Sequence, residues 1–187
     1  MTFESALAAI DAAHAEDPRD SVDGPYELYY ARKCTSYLTK IDGDASELLR
    51  LAVRAQHFRR WEVQRDAYPM TKAGYFAWRT GLKKRQAEQV SHLLLSHGYS
   101  AEEADRVASI IRKDNFKKDA ETQTLEDVAC LVFLDAEFEK FKETVEEDKI
   151  IHILQKTWPK MSERGHAVAL QMHMSEECAR LVQKALS

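Results

Sequence analysis

Ala45-Ser46-Glu47-Leu48-Leu49-Arg50-Leu51-Ala52-Val53-Arg54-Ala55-Gln56-His57-Phe58-Arg59-Arg60-Trp61-Glu62 reads as an amphipathic helix. Leu48, Leu49, Ala52, Val53 and Gln56 recur at helical spacing on one face. His57 closes that face where the chain turns basic and aromatic. An imidazole there suits metal ligation, proton transfer or a buried hydrogen bond.

Outward from this stretch, helix follows helix. Residues 3–15 carry Phe3, Leu7 and Ile10 at helical spacing, with Thr2 as N-cap. A polar loop, 16–24, precedes Pro25, which suits the first turn of a helix bearing Leu28, Ala31, Cys34, Tyr37, Leu38 and Ile41. Asp42-Gly43-Asp44 is a turn signal. Residues 62–70 form an irregular link around Pro69. Thr71 caps a long helix that Gly81 loosens and Gly98 stops. Ser100 and Glu103 have the form of a capping box opening a helix to about Lys113. Residues 114–123 read as a charged loop, and Thr124 as the start of the most apolar helix, Val128 to Leu134, the expected centre of the core. Helices at 148–161 and 175–186 complete the chain. Strand alternation is absent, so the sequence predicts one compact all-α domain over residues 1–187.

The 187 residues suffice for a single core. No apolar run approaches the roughly 20 residues that span a bilayer, and the acidic N-terminal segment lacks a basic signal-peptide start. The three cysteines, Cys34, Cys130 and Cys178, lie far apart, as free thiols in a reducing compartment would. A cytoplasmic location and no membrane association are expected. The net charge is −4, yet residues 54–85 hold Arg54, Arg59, Arg60, Arg65, Lys72, Arg79, Lys83, Lys84 and Arg85 against only Glu62 and Asp66. Such a basic island suits an anionic ligand; the alternative is a solvated helix face.

The segments Leu51 to Phe58 and Leu125 to Leu131 resemble those that hold the His-Asp pair and the last Asp in the HD-domain superfamily of metal-dependent phosphohydrolases. More closely, Arg54 to Glu62, Tyr68-Pro69-Met70, Gly74 to Arg79, Leu125 to Leu134 and Lys156 to Ser162 resemble the domain-of-unknown-function family 4202. Members of that family are sometimes labelled glutamyl-tRNA synthetase. This chain has no Rossmann-like strand and helix alternation to support that label. The HD resemblance implies an HD-like fold and a divalent transition metal, identity open, held by His57, Asp127, Glu27 and Gln86. Departures weaken that centre to a mononuclear one or to none: Phe58 follows His57 where an Asp is expected, Glu27 stands near the first His position, Gln86 is a poor ligand, and Lys113 replaces a further His.

The function expected first is an HD-like hydrolase acting on a small phosphorylated or otherwise anionic molecule. His57, Glu62 as general base and Lys113 would be catalytic; Arg59, Arg60, Trp61, Tyr68, Trp78, Arg79 and Lys156 would bind substrate. Each has a plainer role. His57 suits a satisfied core residue, Asp127 a first-turn acid on the helix dipole, Arg59, Arg60 and Glu62 a surface ion-pair cluster, and Trp61, Trp78 and Tyr75 packing. Lys156 and Trp158 come from the last matched motif. A second reading is a degenerate HD-like domain without metal, binding a small ligand or doing acid–base chemistry with His57. A third, RNA association, lacks any RNA-binding motif. A small anionic partner is expected, nucleic acid is not, and a homodimer stays open.

Overall fold

The computed structural model describes residues 2–187. Helix α1 (Phe3–Ala15) starts in a capping box between Thr2 and Ser5. A two-residue hairpin, β1 (Asp20–Ser21) and β2 (Gly24–Pro25), occupies the expected loop; Gly24 supplies its left-handed residue, φ +97°. Then come α2 (Tyr26–Ile41), α3 (Glu47–Arg54), α4 (Lys72–Ser96), α5 (Ala101–Arg112) and α6 (Ala120–Val132). A π-helical turn, 133–137, leads into α7 (Phe138–Lys142), α8 (Glu147–Thr157), α9 (Glu163–Ala169) and α10 (Glu176–Leu186). The all-α expectation holds. Among the described residues no helix is long and apolar enough to cross a membrane.

Helix α6 is central, packing on α2, α3, α5 and α9, while α4 lies along α5 and α8 against α10. Leu125, Val128, Leu131 and Val132 are fully buried with Leu49, Leu51, Leu94, Ile110 and Phe138 in one continuous core. Each such side chain contributes about 1.5–3 kcal/mol on burial. All three cysteines are free and buried in that core.

The helices differ from the sequence reading at several points. The helix expected over residues 45–62 ends at Arg54, because the backbone turns left-handed at His57 (φ 61°) and Arg59 (φ 49°). Burial decides this: Phe58 packs edge-on to His14, 5.8 Å between centroids, and Gln56 donates to the Leu125 carbonyl at 3.3 Å. Helix α6 begins a turn earlier than Thr124, since Asp119 accepts from the Thr122 amide at 2.7 Å and caps it. Helix α9 fills a stretch that gave no sequence signal; Ser162 caps it. At Gly81, α4 continues without a break.

The link 63–71 is tied to α4. Arg65 donates to the carbonyls of Tyr68, Pro69 and Thr71 at 3.0, 2.8 and 3.2 Å, and Trp78 Nε1 donates to the Val63 carbonyl at 3.0 Å. A Cβ on Gly74 would sit 2.0 Å from the Pro69 oxygen, so only glycine admits this contact. The tie fixes the chain just beyond His57.

Candidate functional site

A cleft of about 1010 Å³ separates α2, the turn after α3 and the start of α4 from α6, the π turn, α7 and α8. At its base opens a chamber of about 40 Å³, lined by Gln56, His57, Arg60, Arg79, Leu82, Lys83, Gln86, Ile111 and Lys113. One water needs roughly 10–15 Å³ on this measure, so the chamber has room for a small polyatomic ion.

Helix α2 brings Glu27 and, one turn on, Tyr30 to the cleft. Glu27 is fully buried. Its backbone N–H donates to Asp17 at 3.0 Å, and Arg19 donates to Glu27 Oε1 at 2.7 Å. The other carboxylate oxygen, Oε2, has no hydrogen-bond partner and faces His57 Nδ1 at 3.6 Å. Tyr30 stacks on the His57 ring, 4.3 Å between centroids and 17° apart. His57 Nε2 lies 2.8 Å from Arg60 Nη1. A guanidinium only donates, so Nε2 accepts and the ring proton sits on Nδ1, toward Glu27. Burial, then the Arg60 charge, holds the His57 pKa well below 6.5, so the imidazole is neutral at pH 7.

Burial lifts the Glu27 carboxyl from 4.5 to about 6 despite the Arg19 contact. A carboxyl that holds its proton more tightly folded than unfolded stabilises the fold when protonated. We therefore expect about 2 kcal/mol of added stability as pH falls from above 6 to below 4.5, relative to Glu27→Gln. Urea denaturation of both proteins across that window measures it.

Cations dominate the chamber. Lys113, left-handed at φ 62°, ends α5 and pairs with Glu126 at 2.5 Å. Burial alone would raise the Glu126 pKa, but the lysine holds it low. Arg60 lies over the Trp78 ring, 5.1 Å from its centroid. Among the described residues Arg60, Arg79 and Lys83 have no carboxylate partner. Burial, then Lys113 and Arg79, push the Lys83 pKa down. Gln86 Nε2, on a side chain 5% exposed, is a buried donor without an acceptor. These groups share one lack: a hydrogen-bond acceptor bearing negative charge. Two of the lining residues, His57 and Lys113, also hold left-handed backbone, a strain of about 1–3 kcal/mol each that concentrates at functional sites.

Of the residues the sequence singled out, Glu27, His57, Arg60, Arg79 and Lys113 line the cleft, and Gln86 the chamber. Trp78 supports Arg60 from beneath. The others lie elsewhere. Arg59 pairs with Glu16 and Glu62 at 2.6 and 2.8 Å, and Glu62 also accepts from Arg85. Arg85 first, then Arg59, lowers the Glu62 pKa, the opposite of what a general base at neutral pH requires. Trp61, Tyr68 and Lys156 line neither space; the Tyr68 hydroxyl instead covers Gly81. Asp127 is turned away. It accepts from the Ser162 amide at 2.8 Å, from the Ser162 hydroxyl and from Gln123 Nε2 at 2.9 Å, anchoring α9. Nor does it lie in the first turn of its helix, which starts at Ala120.

The sequence reading did not single out Tyr30, Arg19, Glu126 and Glu137 as cleft residues or Lys83 as a chamber residue. A signal for part of this was present. Lys72, Tyr75, Arg79, Lys83 and Gln86 fall at helical spacing on one face of α4. Tyr30 stands three residues after Glu27 on the same face of α2. Glu137 accepts from the Tyr26 hydroxyl and reaches the cleft only through the π turn, which has no sequence signature. Cys130 lines the cleft, but burial pushes its thiol up to about 12, which removes it as a thiolate nucleophile.

The donors do not fit a divalent metal. Among the described residues no three His, Cys, Asp or Glu side chains converge as a ligand set. Of the four metal ligands that the HD resemblance implies, Asp127 is spent on Ser162, and the Nε2 lone pair of His57 is spent on a guanidinium. Arg60, Arg79 and Lys83, which have no carboxylate partner, repel a metal ion.

A family model described as Domain of unknown function (DUF4202) matches residues 4–182. No curated protein and no solved structure matches the chain.

Proposed function

The chain belongs to this family, and from the geometry of its cleft we propose that it is an HD-like domain in which cationic side chains stand where a metal would. It binds a small phosphorylated molecule, with His57 as proton carrier. The observation that carries this reading is the chamber itself: Arg60, Arg79 and Lys83 without carboxylate partners, Lys113 beside them, and the unsatisfied Gln86 donor, all around one small space. Like charges held together out of water are costly, and a phosphate dianion relieves that cost while accepting from every donor.

Support for the HD-like part is the order of convergence. Glu27, His57, Gln86 and Lys113 occupy successive positions of the HD resemblance, and each lines the cleft or its chamber. The substituted residues change the chemistry. Arg60, Arg79, Lys83 and Lys113 would neutralise charge that develops on a phosphoryl or carboxyl oxygen. His57, neutral and oriented by Tyr30 and Glu27, takes at Nε2 a proton from a water or hydroxyl of the bound molecule once Arg60 turns to the anion. Glu27 then faces the imidazolium and stabilises it, the part an orienting carboxylate plays beside a catalytic histidine.

Inorganic phosphate tests the binding step without knowledge of the substrate. At 100 times its Kd a ligand of the folded state adds about 2.7 kcal/mol. For a chain of this length that raises Tm by roughly 5–10 °C. We expect this shift in phosphate with chelator present, and none in chloride of equal ionic strength. Equal shifts in both salts would refute the site.

A further inference from the structure

The chamber opens onto an apolar wall, and this juxtaposition narrows the ligand. Resting on the anion-binding reading above, we infer that the ligand is a phosphate monoester of an apolar alcohol, its phosphate in the chamber and its body along α6. Helix α6 and the first residue of the π turn present Glu126, Ala129, Cys130 and Phe133 to the cleft, one stripe at i, i+3, i+4 and i+7. Glu126 holds Lys113 at the chamber end. From there to Phe133 the helix rises roughly 10 Å. Phe141, Val145 and Ile153 close the same wall from α7, the segment after it and α8. At the start of α4, Tyr75 lines the cleft 42% exposed, edge-on to Phe76, which is 57% exposed.

Charge chooses the headgroup. Glu126 compensates Lys113, and His57 is neutral, so Arg60, Arg79 and Lys83 are the chamber's uncompensated charges. A dianionic phosphate matches them better than a single carboxylate. The wall chooses the body. Along the stripe the side chains offer apolar contact area, with Glu137, Lys149 and Thr157 beside it, so a hydrocarbon body lies on the stripe without stranding a polar edge. Phe133 is already fixed by Phe141 and Phe138, 5.6 and 5.9 Å between centroids. The wall is therefore a preformed surface of the kind that apolar ligand bodies cover.

Calorimetric titration of the full chain in chelator, with inorganic phosphate and then ethyl, butyl, hexyl and octyl phosphate below their micellar concentrations, reads the wall directly. We expect affinity to rise about threefold to fourfold per methylene until the wall is covered, with glycerol phosphate no better than inorganic phosphate. Ile153→Asp, at a half-buried position, is expected to keep phosphate binding and flatten the series. A flat series in the unaltered protein, with phosphate still bound, overturns the apolar body and leaves the anion site intact. Adenosine monophosphate binding more tightly than octyl phosphate overturns it as well. Failure of phosphate and every ester to bind defeats the underlying anion reading instead.

Discussion

Asp127→Ala is expected to lower the unfolding free energy by about 2–4 kcal/mol while leaving phosphate affinity unchanged. The carboxylate is buried and accepts three hydrogen bonds, from the Ser162 amide, the Ser162 hydroxyl and Gln123. Removing it strands those donors and opens a void beneath α9. Its fit is tight: a Cβ on Gly165 would lie 2.9 Å from the Asp127 Cγ. Urea denaturation measures the loss, and titration of the folded variant measures affinity. A variant as stable as the unaltered protein but unable to bind would return Asp127 to the site, as the HD resemblance implies.

The second large effect runs the other way on stability. Arg79→Ala combined with Lys83→Met is expected to weaken phosphate binding at least about 100-fold, since each hydrogen bond to a charged group contributes about 1.5–3 kcal/mol. The same pair of changes is expected to leave the fold as stable or to stabilise it by up to about 1 kcal/mol. Neither side chain has a carboxylate partner to strand, and the burial of Lys83 together with its repulsion by Lys113 and Arg79, which depress it, no longer falls on a charged group. Binding lost together with stability would mean that these cations hold the fold rather than a ligand.

The sequence carried the helices well where a cap announced them. Thr2, Thr71 and Ser100 each accept from a first-turn amide as expected, because capping is a local interaction that a few residues encode. It failed where tertiary packing prevailed. Residues 55–59 have helical composition, yet Phe58 and Gln56 are buried by turning the chain left-handed at His57. No local pattern announces that turn.

The candidate site was legible in part for a related reason. Composition located the basic island but could not tell which cations were free. In the fold Arg54 pairs with Asp11, Arg59 and Arg85 with acids, and Arg65 with loop carbonyls. Arg60, Lys72, Arg79 and Lys83 face the cleft or its chamber. The partners that neutralise the first group come from distant segments, which charge counting along the chain cannot see. His57, Glu27, Gln86 and Lys113, which the resemblance groups, line the cleft or its chamber, and Asp127 does not. Glu126, one residue earlier and about 100° round the helix, is the acid of α6 that lines the cleft.

The most direct measurement is a calorimetric titration of inorganic phosphate into the full chain, first in chelator and then with manganese or zinc restored. Saturable one-to-one binding in chelator, unchanged by the metals and lost in the Arg79→Ala, Lys83→Met variant, is the expected result. Binding that appears only when a divalent metal is restored would contradict it and would point back to a metal-dependent centre at His57.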